Sequence, residues 1–301
     1  MPSTFTAVSY GETLPQETLR QVRAVLAANG LRITGETAES HPGFECATFA
    51  LAAGTKDTSD AVTRLRAALA AAPIAGVDTA VVPDSLRGAE RKFIIMDVDS
   101  TLIQQEVIEL LAAHAGTEAE VAKVTAAAMR GELDFAESLH HRVATLAGLP
   151  ESVLNEVGGK IKLSVGAERL VARSKAAGHA VAAVSGGFSQ ILAPLAAELG
   201  LDFALANDLE IVDGHLTGRV HGAVVDRAAK AASLRAWSAQ AGIGQGATMA
   251  IGDGANDLDM MAAAALGVAF NAKPAVRAVA DAQINLPNLD VALALAGIPV
   301  A

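Results

Sequence analysis

The stretch Phe93-Ile94-Ile95-Met96-Asp97-Val98-Asp99 constrains this chain more than any other. Its apolar run reads as a strand buried in a sheet, and it ends on two carboxylates that flank a valine. Carboxylates are seldom buried unpaired, so two at the end of so apolar a strand call for a compensating cation. A hard divalent ion such as Mg²⁺ suits oxygen ligands of this kind. A helix N-cap would account for a single aspartate here, and accounts poorly for Asp97 and Asp99 together.

From this strand onward the pattern alternates strand and helix in the manner of an open parallel sheet. Residues 103–163 carry only helical patterns and read as a cap inserted after the first strand. A strand is expected at 179–184, a helix at 188–199, and a hairpin over 203–225 with Asp213-Gly214 at its turn. A helix follows at 226–241. A strand at 248–251 then runs into Gly252-Asp253-Gly254, with a helix from Asn256 or Asp257.

Ahead of this block, strands are expected at 5–9, 31–37, 44–51 and 77–82, with helices at 15–28 and from 57 or 59 to about 72. The order β-α-β-β-α-β implies a ferredoxin-like sandwich. Residues 83–91, polar and carrying a glycine, read as a linker. The expected architecture is α/β: a Rossmann-like parallel sheet core with a helical cap at about 103–163, in a domain at 85–301. A smaller domain occupies 1–84.

Half the chain (51%) is apolar and only 3% aromatic, so the core must be built from Ala, Val, Leu and Ile, and disorder is excluded. One cysteine, Cys46, excludes a disulfide scaffold and fits a reducing cytoplasm. A net charge of −10 argues against a nucleic-acid surface. Residues 176–197 are uncharged and long enough to span a bilayer, but Ser185-Gly186-Gly187 and Pro194 make them strand, turn and helix. A soluble cytoplasmic protein without nucleic-acid or membrane partners is expected. The seven histidines, His41 among them, are scattered without metal spacing, and Cys46 and Trp237 read as structural.

Three further pieces bear on chemistry. Gly252-Asp253-Gly254-Ala255-Asn256-Asp257 again follows a strand; its glycines allow close backbone approach, and Asp253 and Asp257 can share one face as a helix begins. By itself it could be an ordinary Gly-Asp turn. Val184-Ser185-Gly186-Gly187 places a hydroxyl and backbone N–H groups where a helix is expected to start, a ready phosphate site or a plain turn. Lys230, near the start of a helix, would be a solvated lysine in isolation.

Asp97-x-Asp99-x-Thr101, then Ser185, then Lys230, then Gly252-Asp253-Gly254-x-Asn256-Asp257, in that order, resembles the haloacid-dehalogenase superfamily of phosphotransfer enzymes. Within it, Asp134-Phe135-Ala136-Glu137-Ser138-Leu139 with Arg142, Ser185-Gly186-Gly187-Phe188 and Ala272-Lys273-Pro274 are similar to the phosphoserine phosphatase family. The likeness runs from about residue 92 to 280. Asp259 departs from it, standing where an apolar residue or proline is expected.

The resemblance implies that Asp97 attacks phosphorus and Asp99 serves as general acid and base. Mg²⁺ would be held by Asp97, the main-chain oxygen of Asp99 and Asp253, with Asp257 ordering the surrounding shell. Ser185, Gly186 and Lys230 would cradle the phosphoryl oxygens, with Asn256 nearby. Glu106 and Arg142 would pair with the ammonium and carboxylate of O-phospho-L-serine, with Met129 and Phe135 closing the apolar side. The N-terminal unit resembles ACT-type regulatory domains, which implies a homodimer and an L-serine effector. Its first loop, Tyr10-Gly11-Glu12-Thr13-Leu14-Pro15, lacks the acidic-then-glycine turn of ligand-binding members, so dimer contact or simple scaffolding is at least as good a reading as serine sensing. Two other functions stay open: phosphotransfer or hydrolysis on another small phosphomonoester, and a non-catalytic amino-acid sensor.

Overall fold

In the computed structural model, residues 4–53, 58–129 and 133–300 are described. The N-terminal part runs β1 (Thr4–Gly11), α1 (Gln16–Ala28), β2 (Leu31–His41), β3 (Phe44–Ala53), α2 (Thr58–Ala71) and β4 (Asp78–Pro83). The strands form an antiparallel sheet in the order β2-β3-β1-β4, the ferredoxin-like arrangement. Strand alternation divides its side chains cleanly between two faces. Phe5, Ala7, Phe49, Leu51 and Val81 pack under α1 and α2 with Leu19, Val22, Leu26 and Leu65. Val8, Tyr10, Phe44, Cys46, Ala80 and Val82 face the other way, into the core of the following block.

The polar stretch expected to be a linker is instead a joint. It holds a short helix, α3 (Asp84–Arg87), with Leu86 fully buried. Polarity marks solvent access on one side of such a segment but not on both.

The larger block begins with β5 (Phe93–Met96) and the helices α4 (Val107–Ala115), α5 (Glu118–Met129), α6 (Phe135–Ala144) and α7 (Ser152–Gly158), the all-helical cap. Ile103 and Leu163 pair across its two stems, which makes the cap an insertion with a closed base. After α8 (Ala167–Ala176) come β6 (Ala180–Phe188), α9 (Ser189–Leu199), and the hairpin of β7 (Phe203–Val212) and β8 (His215–His221). Asp213 and Gly214 turn that hairpin with φ of 51° and 74°, the paired left-handed conformation of a tight two-residue turn. Then follow α10 (Arg227–Gln240), β9 (Thr248–Gly252), α11 (Leu258–Ala263), β10 (Leu266–Phe270), α12 (Pro274–Arg277), β11 (Ala282–Ile284) and α13 (Asp290–Ala296).

The seven-stranded sheet has the order β11-β10-β9-β5-β6-β7-β8, parallel except at the β7–β8 hairpin. Strand β5 is covered on both faces: Phe93 and Ile95 pack with Leu234 and Met260, while Ile94 and Met96 join the core on the opposite side. The chain leaves β5 for β6 on one side and later returns to β9 on the other. The ends of β9, β5 and β6 therefore frame the switch point where open α/β sheets bind ligands.

Helix α13 is buried along its whole length and packs between the two sheets, against Val8, Ala80 and their neighbours. Arg87 donates to the carbonyls of Ala294 and Leu295, and the Tyr10 hydroxyl donates to the Gln283 carbonyl in β11. No helix among the described residues is long and apolar enough to cross a membrane.

Candidate active site

At the end of β5 the chain makes a tight turn over Val98–Leu102. The Asp97 carboxylate holds that turn by accepting from the Val98 N–H at 2.7 Å, and Ser100 sits at φ 55°. The Asp99 Oδ1 accepts from the Val107 N–H (2.8 Å) at the first turn of α4, and its Oδ2 accepts from the Ser185 hydroxyl (3.2 Å). The Ser100 hydroxyl donates to Glu106 (2.6 Å), which brings a cap carboxylate over the strand end. Asp97 is thereby fixed beneath the cap, with Asp99 bound to both sides of the cleft.

Lys230 arrives from α10. Asp226 caps that helix by accepting from the Ala229 N–H, and Lys230 one turn later extends its ammonium to Asp97 Oδ1 (2.7 Å) and Asp257 Oδ1 (2.8 Å). Burial would lower this ammonium, but the two carboxylates outweigh it and hold Lys230 charged well above its usual range. Asp257 Oδ2 accepts from the Gly254 N–H at 3.1 Å, so both its oxygens are engaged. A Cβ at Gly252 would collide with that carboxylate, so only glycine lets β9 pass so near Asp257.

The carboxylates of Asp97, Asp253 and Asp257 offer oxygen atoms within 4.8 Å of one another. Burial first, then the charges of Asp97 and Glu106, pushes Asp253 up to about 7. Burial, Glu106 and Asp97 likewise push Asp99 up to about 7. Three converging carboxylates against one ammonium leave a deficit of positive charge, and an all-oxygen donor set suits a hard divalent ion. The residues fit such a metal.

The cap supplies the far wall. Asp134 caps α6 through the Glu137 N–H (2.7 Å), which places Phe135 and Arg142 two turns apart on one face. Burial lowers the Arg142 guanidinium, opposed by Glu106, Asp99 and Glu109, so acidic groups already face it. Burial raises Glu106, opposed by its hydrogen bond from Ser100. Phe135 lies against the backbone of Gly186, where an added Cβ would stand 2.6 Å from its ring.

Asp97, Asp99, Glu106, Phe135, Arg142, Gly186, Asp253 and Asn256 line one cavity of about 360 Å³. Asn256 reaches Asp97 Oδ2 at 3.5 Å; Ser185 and Lys230 sit just behind the wall, buried, bonded to Asp99 and Asp97. Met129 ends α5, and its side chain lies outside the described residues. One local expectation changes. Residues 185–188 do not turn into a helix but continue β6 as an irregular extended end, and the Gly187 N–H is taken by the Ser185 hydroxyl. Asn207 holds this end by donating to the Gly186 carbonyl (2.8 Å) and accepting from the Val225 N–H (2.7 Å). Sequence reading missed Asn207, since only the pairing of β6 with β7 puts it there. Lys273 also lines the cavity; its place in Ala272-Lys273-Pro274 was the available signal.

A parallel sheet with a helical cap inserted after its first strand, closed over an acidic strand-end cleft, defines a capped α/β domain with its ligand site at the switch point of the sheet. The chain belongs to the haloacid dehalogenase-like hydrolases, whose family profile matches residues 94–262. It is similar to the phosphoserine phosphatase of Streptomyces coelicolor, 60% identical over 78% of this chain and 57% of that protein. It is also similar to the phosphoserine phosphatase SerB2 of Mycobacterium tuberculosis, 54% identical over 74% of this chain and 54% of that protein. The chain thus spans little more than half the length of these relatives. Its fold matches the crystal structure of a probable phosphoserine phosphatase from Vibrio cholerae, with a TM-score of 0.75, 36% identity, and coverage of 97% of this chain and 87% of that one.

Proposed function

We propose that this chain hydrolyses O-phospho-L-serine to L-serine and phosphate through a covalent aspartyl-phosphate. The observation that carries this reading is the shared cavity: a strand-end pair, Asp97 and Asp99, faces a cap pair, Glu106 and Arg142, across about 360 Å³. A phosphomonoester of an α-amino acid needs an acidic partner for its ammonium, a bidentate cation for its carboxylate, and a nucleophile beneath its phosphorus.

Asp97 attacks phosphorus and takes the phosphoryl group as an acyl phosphate. Asp99, kept near its protonated form by burial and held by Val107 and Ser185, gives its proton to the departing serine oxygen. It then takes a proton from the water that cleaves the aspartyl-phosphate, which returns Asp97 as a carboxylate and Asp99 as the protonated acid. Lys230, buried and charged, offsets the negative charge gathered at Asp97. Ser185 and the Gly186 N–H bound the phosphoryl side, with Asn256 beside Asp97. Asp97, Asp253 and the Asp99 main-chain oxygen would hold Mg²⁺, with Asp257 tying that shell to Lys230. When bound, the ion supplies electrostatic stabilisation of phosphoryl oxygens.

The same reading includes a homodimer, for which β2 offers an open edge: β2 is paired on one side only, by β3, and most of its length is exposed. An L-serine effector rests on the ACT resemblance alone. Phosphate release from O-phospho-L-serine, measured with Mg²⁺ and after chelation, tests the activity. Turnover that depends on the metal is expected; no release from this substrate under either condition overturns the reading.

A further inference from the structure

We propose that Glu39, His41 and Cys46 form a second metal site, for a thiophilic divalent cation of the Zn²⁺ class, on the N-terminal sheet where it meets α13. The topology assembles three different donors. Glu39 and Cys46 are direct partners across the β2–β3 ladder, and His41 lies two residues along β2 from Glu39, on the same face. One oxygen, one nitrogen and one sulfur come within 4.8 Å of one another.

The spacing suits a tetrahedral ion. Zinc bond lengths of about 2.3 Å to sulfur and about 2.0–2.1 Å to nitrogen and oxygen, at a tetrahedral angle, imply roughly 3.6 Å for N···S and roughly 3.3 Å for N···O. His41 Nε2 stands 3.5 Å from Cys46 Sγ and 3.3 Å from Glu39 Oε2. Three protein ligands leave a fourth position. The Glu39 side chain is 61% exposed, and a groove of about 570 Å³ runs past His41 and Asn288, so an ion and a water can enter.

A second observation lies behind the histidine. Asp290, at the start of α13, is 2% exposed, and its Oδ1 is buried without a hydrogen-bond partner. Burial raises this carboxylate, opposed first by Arg169, whose guanidinium stands 3.2 Å from Oδ2, and then by His41. Arg87 also lies in range of Cys46 and Glu39, but Glu39 and a Cys46 thiolate together outweigh its single charge, and its guanidinium is bonded to Ala294 and Leu295. Mixed S/N/O donors discriminate against Mg²⁺, so this site and the all-carboxylate cleft take different ions. Binding displaces the Cys46 thiol proton to solvent, and sulfur and metal form the new bond.

Cobalt reads the site directly, because Cys46 is the one cysteine of the chain and any thiolate-to-cobalt charge-transfer absorption must come from it. The full chain is titrated with Co²⁺ in excess Mg²⁺, which keeps the carboxylate cleft filled, and then back-titrated with Zn²⁺. A charge-transfer band saturating at one equivalent and abolished by Zn²⁺ is expected. His41→Asn should weaken Co²⁺ binding about 100-fold or more, and Glu39→Gln, on the surface and harmless to folding, about tenfold or more. A missing band at saturating Co²⁺, or an unchanged affinity in any variant that folds, overturns the proposal.

Discussion

The Lys230 ammonium stands 2.7 Å from Asp97 Oδ1, and neither side chain is more than 5% exposed. So deep a pair is costly to break from either side, since removing one partner strands the other charge in a dry site. Asp257 changes the balance, because it also contacts Lys230. Asp97→Asn should therefore stay folded, with Asp257 retaining the lysine, while phosphate release falls by at least ~10³-fold. Lys230→Met should instead lose about 3–5 kcal/mol of stability, because Asp97 and Asp257 are left to repel each other. Urea denaturation of both variants beside a phosphate-release assay separates the two outcomes.

Arg142 should decide which phosphomonoesters are accepted. Its alanine variant is expected to lower kcat/KM for O-phospho-L-serine by about 10- to 100-fold, the worth of a charge-assisted hydrogen-bonded pair. Turnover of an aryl phosphate, which has no carboxylate to bind, should change far less. Equal losses on both substrates would show that Arg142 shapes the cap and does not read the substrate.

Gly186 and Phe135 should be coupled. Gly186→Ala pushes a methyl group toward the Phe135 ring, an overpacking cost of about 1–3 kcal/mol that opens the cap. Phe135→Leu shortens the opposing side chain and should recover much of the lost kcat/KM. A double-mutant cycle with no interaction energy would disprove the contact.

Tyr10 should give the fold an alkaline limit. Burial first, then the Asp78 charge, holds its hydroxyl well above the ordinary range. A folded value above the unfolded ~10 means a contribution fully present below pH ~10 and lost as pH rises through the folded value. Tyr10→Phe should cost about 1 kcal/mol near neutrality by leaving the Gln283 carbonyl without its donor. It should also flatten the fall in Tm above pH ~10, which thermal melts at stepped pH will show.

The framework of the candidate site was legible because its residues sit where strands end: β5 and β9 announce themselves as apolar runs stopped by aspartates. The cap was legible as a long stretch of helical period. Asn207 was not, because a lone asparagine in a strand carries no local signal until β6 and β7 are paired. The grouping of Glu39 with His41 and Cys46 was equally hidden. Histidine spacing along the chain shows nothing there, whereas the hairpin register across Pro42-Gly43 sets all three side by side. The polar joint at 83–91 looked like a tether because Leu86 and the backbone contacts of Arg87 depend on α13, whose apolar sequence announces burial but not the surface it covers.

That helix also sets an order of events. β1 leaves the ribosome about 280 residues ahead of α13. At ~5–20 residues per second, one face of the first sheet waits roughly 15 to 60 s for its cover. During synthesis Val8, Tyr10, Phe44 and Ala80 form an adhesive patch. Newly made chains are then most prone to associate with one another, and a chaperone that shields the early sheet would raise the yield of native protein more than one acting on the cap.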